Sequence, residues 1–199
     1  MIRAVITLSG AVLGLSLLAG PAVALQSDMI DLETRQPLIQ NPAALNQGRP
    51  QQSAIPRETV AYNGPHAPGT IIISTVERRL YFVLPNQQAV KYGVGVGRPG
   101  FEWSGTKTVS QKKEWPDWTP PAQMLKRRPD LPRHMKGGPE NPLGARAMYL
   151  GSSLYRIHGS NEPDTIGQAV SSGCIRMTNE DVTDLFERVK VGTRVTVMR

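Results

Sequence analysis

Downstream of Gly69 only one stretch of this chain repeats its apolar residues at helical spacing. Val182, Leu185, Phe186 and Val189 fall at i, i+3, i+4 and i+7, with Thr178 placed to cap the helix and Asp181 at its third position. The other patterned segments are short, rich in β-branched and aromatic residues and bounded by turn formers, which is the signature of strands. Thr70 to Val76 and Arg79 to Leu84 read as a hairpin broken at Glu77-Arg78, Gln88 to Gly97 as the next strand and Thr106 to Lys112 as a fourth. Ala147 to Leu150 and Leu154 to His158 form a second hairpin around Gly151-Ser152-Ser153, and Thr193 to Met198 makes a final strand after Gly192. The expectation is a mainly β domain with one dominant helix, in which His158 closes a strand and Cys174 sits on the turn leading into the helix.

The N-terminal third of the chain does not share this texture. Arg3 is followed by an apolar run from Ala4 to Ala19, interrupted by glycines, and Pro21-Ala22-Val23-Ala24 ends in an Ala-x-Ala pattern. Residues 1–24 therefore read as a secretory signal peptide cleaved after Ala24, too short and too broken by glycine for a membrane anchor. Residues 25–68 carry six prolines with Gln and Asn clusters and few periodic apolar positions, the composition of a linker. Residues 69–199 are left as the folded domain. The implied compartment is the periplasm of a Gram-negative-type bacterium, with no stable membrane anchor once the leader is removed.

The net charge of +7 becomes +6 when Arg3 is lost, which suits an anionic environment. Nucleic acid is disfavoured as a partner, because the aromatics are not interleaved with the basic residues and the leader points to export. Between Arg98 and Arg146 lie eight prolines, all three tryptophans (Trp103, Trp115, Trp118) and the cluster Lys126-Arg127-Arg128 with Arg133 and Lys136. Such a segment reads as a semi-rigid flap. Trp115 and Trp118 either face a ligand or pack under the loop as a small core of their own, and the basic cluster reads as a solvated face.

Cys174 is the only cysteine, within Ser171-Ser172-Gly173-Cys174-Ile175-Arg176-Met177 and sixteen residues after His158. A lone thiol in an oxidising compartment has no intramolecular disulfide partner and stays available for chemistry. The thiolate is the reactive form and a free cysteine is mostly protonated at neutral pH, so a base is required; His158 is the candidate. The small residues around the sulfur let a carbonyl approach, with backbone N–H groups of Gly173, Cys174 and Ser172 available to hold its oxyanion. A helix starting just beyond Cys174 is expected to favour thiolate through its dipole. His66, His134, His158 and Cys174 lack any zinc-ligand spacing, and no phosphate loop or dinucleotide fingerprint occurs, so neither metal nor cofactor is expected.

Ile157-His158-Gly159-Ser160 followed by Ser171-Ser172-Gly173-Cys174-Ile175-Arg176-Met177 resembles the signature of the L,D-transpeptidases of the YkuD type. Gly69 to Ile73 with Arg79-Leu80-Tyr81 is similar to that domain's opening hairpin, and Tyr92 to Gly97 to its next strand. The resemblance implies a β-sandwich-like catalytic domain whose long Pro/Trp-rich flap covers the groove and contacts the donor. It implies that Cys174 attacks a peptidoglycan tetrapeptide stem and expels D-alanine, that His158 moves the proton, and that a backbone carbonyl near Gly159 orients the imidazole. An amine acceptor, on a second stem or a wall-attached protein, then resolves the thioester. Arg176 is placed to meet a carboxylate or brace the loop, and Ser171 to contact substrate or make a structural hydrogen bond. The family often has a histidine where this chain has Ser172, so no role of a second imidazole carries over. Rival readings are a secreted cysteine peptidase or carboxypeptidase, which shares the acyl-enzyme, and a non-catalytic wall-binding module. The papain-like order, cysteine before histidine, is reversed here.

Overall fold

The computed structural model describes residues 55–199, so the signal-peptide reading of residues 1–24 and most of the linker reading lie outside the described residues. Nine strands form one curled sheet. At its centre β2 (Ile71–Ser74) pairs antiparallel with β3 (Arg79–Leu84) and parallel with β11 (Arg194–Met198). Ile71, Ile72 and Ile73 are all buried, as the uninterrupted apolar run requires of a strand covered on both faces. The expected hairpin of β2 and β3 is present, and β4 (Gln88–Gly93) extends it on the far side of β3.

Curvature comes from β6 (Gly105–Glu114). Its first residues pair with β11, while Val109 to Glu114 pair with β7 (Arg146–Leu150), and the register shifts between Val109 and Gln111. A bulge of this kind bends a strand and raises its local twist. The second half of the sheet then runs β7, β8 (Arg156–His158), β10 (Ile175–Arg176). Among the described residues Leu80, Tyr92, Met148, Leu150, Ile157, Ile175 and Leu185 belong to one buried core.

The main helix, α2 (Asn179–Arg188), lies against β7 and buries Val182, Leu185 and Phe186. Thr178 caps it, its hydroxyl accepting from the Asp181 N–H at 3.1 Å. Lys112 closes the other end, donating from Nζ to the carbonyls of Phe186 and Val189, each at 2.6 Å, so carbonyls with no partner inside the helix meet a cation.

Four sequence expectations are revised. The run Gln88 to Gly97 is two strands: after β4 the chain leaves the large sheet, and β5 (Val96–Gly97) pairs in parallel with β9 (Ala169–Ser171). Gly95 makes the crossing, exchanging two 2.9 Å backbone bonds with Arg176 where a Cβ would lie 2.9 Å from the Thr165 carbonyl. Residues 58–61, assigned to the linker, form β1 (Glu58–Ala61) paired with β4. Cys174 does not lead directly into the helix, because β10 and the Met177-Thr178 link intervene. The segment from Arg98 to Arg146 holds the whole of β6 and a short helix α1 (Ala122–Arg127), so the irregular flap is confined to about residues 115–145. That flap is pinned from inside by buried Asn141, whose Nδ2 faces the carbonyls of Pro116, Met135 and Lys136 while its Oδ1 accepts from the Leu143 N–H.

Thr178→Ala removes the one side-chain cap of α2 and should lower stability by about 1 kcal/mol. Urea unfolding followed by far-UV circular dichroism checks this; an unchanged midpoint would show that the cap bond contributes nothing net.

Candidate active site

Strands β8 and β10 run side by side in parallel, with Ile157 opposite Ile175 and His158 opposite Arg176. Both isoleucines are buried in the core. Alternation along the strands therefore turns Arg156 and His158 of β8, and Arg176 of β10, to the opposite face. Together with Cys174, just ahead of β10, all three line one cleft of about 1200 Å³.

His158 is buried, and its Nδ1 lies 2.6 Å from the Gly159 carbonyl. A carbonyl can only accept, so Nδ1 carries the proton and Nε2 is left with a free lone pair, the tautomer a general base needs. Gly159 is itself held, its N–H donating to the Arg146 carbonyl at 3.0 Å. Asn179 Oδ1 accepts from the Ala145 N–H at 2.8 Å and sits where a Cβ on Gly159 would come within 2.3 Å, so only glycine fits there. Burial, with the Arg176 charge as the next cause, holds the imidazole down to about 3. Cys174 is half-buried, and burial pushes its thiol up, with the nearby Arg156 opposing. The resting pair is thus neutral thiol and neutral imidazole. This revises the expectation of a thiolate favoured by the helix dipole: the helix begins five residues beyond Cys174, and desolvation outweighs what reaches the sulfur.

The turn carrying Cys174 is held by its own side chains. Ser171 Oγ donates to the Cys174 carbonyl at 2.6 Å and accepts from the Gly173 N–H at 3.0 Å. Ser171 is therefore a structural brace, and the Gly173 amide, expected as an oxyanion donor, is already engaged. The Cys174 amide makes no such bond and is the better donor for an incoming oxygen. Gly173 adopts φ +103° against the ring of Tyr155, where a Cβ would lie 2.6 Å from Cε1, and its carbonyl accepts from Trp103 Nε1 at 2.8 Å. Trp103 and Tyr155 stack with centroids 4.6 Å apart and planes within 3°.

Arg176 pairs with Glu162 at 2.8 Å, the bracing alternative of the sequence reading, while still facing the cleft. Ser172 lines the cleft with its hydroxyl 3.5 Å from Arg98 Nη1. Arg98 lies 4.3 Å over Phe101, whose ring also meets Arg127 at 5.0 Å. Arg127 and Arg128 line the cleft, so the basic cluster is not wholly a solvated face. Trp118 lines it too. Trp115 does not: it is 43% exposed at the base of the flap, neither in the cleft nor in a core under the loop. His66 bonds Tyr62, and His134 lies 3.4 Å from Asp117, neither lining the cleft. Sequence reasoning passed over Arg156, Asn179 and the Trp103–Tyr155 stack; the Arg156-Ile157-His158 alternation could have revealed the first.

The pattern of the YkuD L,D-transpeptidase catalytic domain matches residues 68–197. The chain is 41% identical over 135 residues to the probable L,D-transpeptidase ErfK/SrfK of Escherichia coli (strain K12), a match covering 64% of this chain and 43% of that protein. The chain thus spans less than half the length of that relative. A crystal structure from Brucella melitensis, titled as a probable carnitine operon oxidoreductase, is 44% identical with a TM-score of 0.50, covering 74% of this chain and 96% of that one. L,D-transpeptidase 3 from Mycobacterium tuberculosis superposes with a TM-score of 0.54 at 16% identity, over 65% of this chain and 60% of that one, a likeness of fold.

Two outcomes follow for His158→Gln. Acylation of Cys174 should slow by about 10² to 10⁴, the range for a positioned general base, and a parent-like acylation rate in stopped-flow would make His158 structural. The second concerns stability. The unfolded imidazole protonates below its ordinary 6.5 whereas the buried one waits until about 3, so the unfolded state holds the extra proton between them. Stability is therefore lost as pH falls through that window. Urea unfolding at pH 7 and pH 4.5 should show the parent losing more than the variant on acidification; equal losses would contradict a buried neutral His158.

Proposed function

The chain belongs to the L,D-transpeptidases with a YkuD-type catalytic domain, and from that premise we propose that it is an exported enzyme acting on peptidoglycan tetrapeptide stems through a Cys174 acyl-enzyme. One observation carries the reading: a half-buried thiol and an imidazole with its Nε2 lone pair free line the same cleft. His158 Nε2 takes the Cys174 proton as Sγ bonds the carbonyl carbon of the L-centre residue, and the imidazolium returns that proton to the departing D-alanine amine. The amide of Cys174 holds the oxyanion, with Ser172 beside it. An amine on a second stem, or on a protein bound for the wall, then attacks the thioester and frees the sulfur. Arg176 and the other cleft cations face carboxylates of the stem, and Trp118 covers the donor. Trp115 is given no substrate contact.

The leader-like residues 1–24 and the basic charge support a place in the periplasm against an anionic wall. Purified protein incubated with tetrapeptide-bearing muropeptides should release D-alanine and yield crosslinked dimer by mass. Tripeptide with no dimer would make it a carboxypeptidase, and no consumption would remove the reading.

Cys174→Ser should abolish turnover while leaving the fold intact, since the hydroxyl stays protonated where a thiol can be ionised. Normal turnover would remove the nucleophile. A carbapenem, with its strained acyl carbon and carboxylate, should add one drug mass to the parent in intact-protein mass spectrometry, and penicillins should react poorly. A mass gain persisting in Cys174→Ala would place acylation elsewhere.

A further inference from the structure

The cleft cations differ in how far they are already committed. Arg176 is paired with Glu162. Arg128 is paired with Asp130 at 2.6 Å. Arg98 is turned to Ser172 and the Val170 carbonyl, and Arg127 shares the Phe101 ring with it. Arg156 is different. Its guanidinium lies 5.1 Å over the Tyr149 ring and Nη1 donates to the Leu154 carbonyl at 3.1 Å, while its Nε is buried with no hydrogen-bond partner. The same Leu154 carbonyl accepts from Cys174 Sγ at 3.7 Å. Thiol and guanidinium therefore converge on one oxygen, and each precedes by one residue the Ile157–Ile175 pair of the β8–β10 register.

We propose that Arg156 is the cationic partner of the reacting sulfur: its guanidinium, held on Tyr149 and Leu154, stabilises the thiolate once His158 has taken the proton. The proposal rests on Cys174 being the nucleophile. Before transfer, Sγ carries a proton donated to the Leu154 carbonyl. Afterwards the proton is on His158 Nε2, sulfur is anionic, and the neighbouring carbonyl would repel it. Arg156, already bonded to that carbonyl, supplies the donors that replace the lost S–H bond. No other atom changes charge.

The surrounding charges are unequal in their effect. From β8 come Arg156 and His158, from β10 Arg176, from the loop after β8 Glu162, and the same cleft is lined by Arg98, Arg127, Arg128 and Glu140. Arg156 is the stronger cation at the sulfur, and Arg176 the stronger at the imidazole. Arg176 is also partly neutralised by Glu162, which leaves Arg156 as the less committed cation beside the sulfur.

Cys174 is the only thiol, so alkylation by iodoacetamide, a neutral reagent, reports on it alone. The pH at half-maximal alkylation rate should rise by about 1 unit or more in Arg156→Gln, as expected on losing a cation that shares the Leu154 carbonyl with the sulfur. Arg156→Lys, which retains the charge, should restore the midpoint to within about half a unit of the parent. Arg156→Met is made in parallel to retain packing on Tyr149, so that one folded uncharged variant suffices, with folding checked by thermal melting. A parent-like midpoint in either folded uncharged variant would overturn the proposal. So would a lysine variant that behaves like glutamine. The readout needs no wall substrate, so failure here is distinct from failure to consume muropeptides.

Discussion

The parallel register of β8 on β10 is the contact from which the rest of the site follows. Ile157 and Ile175 face each other across it and are both driven into the core, each burial contributing roughly 1.5–3 kcal/mol. Because side chains alternate along a strand, fixing those two inward fixes His158 and Arg156 outward. A slip of one residue would turn an imidazole and a guanidinium into the apolar core and two isoleucines toward the cleft. Parallel neighbours also cannot be joined by a tight turn; they need a crossover of a dozen or more residues. The sixteen-residue spacing from His158 to Cys174 is that crossover, and its returning limb carries Cys174.

Small residues and short bonds then convert this register into a site. Gly159 leaves room for Asn179, whose Oδ1 ties the first turn of α2 to the Ala145 N–H beside the carbonyl that orients His158. Gly173 lies against the Tyr155 ring, and Ser171 ties the turn to itself with two bonds. The flap lies over this on a separate support, the buried Asn141, which satisfies loop carbonyls that would otherwise be desolvated.

Local patterns were legible and long-range ones were not. The helix read from Val182, Leu185 and Phe186 is present with its cap, because amphipathic spacing and a capping residue are properties of consecutive residues. The β2–β3 and β7–β8 hairpins were equally local. The break within Gln88 to Gly97 was hidden because Val94 and Val96 remain buried after the chain changes sheets, so periodicity continues while the pairing partner changes. Strand β1 was hidden by its proline-rich surroundings and by largely exposed side chains, which leave no apolar signal. At the site, His158 and Cys174 were legible from their motif and the Gly159 carbonyl from the resemblance. The state of the thiol was not, since desolvation depends on what folds over the sulfur from elsewhere in the chain.

That desolvation has a protective side. Oxidants attack thiolates far faster than thiols, and over-oxidation to sulfinic or sulfonic acid is irreversible for nearly all proteins. A sulfur whose proton is retained by burial, yet which lies beside a base and a cation, is inert while the cleft stands idle and becomes reactive only as the proton leaves. With one cysteine in the sequence there is no second thiol in the chain to rescue a sulfenic acid as a disulfide. The protonated resting state therefore shields the chain's one thiol from oxidation while the cleft is empty.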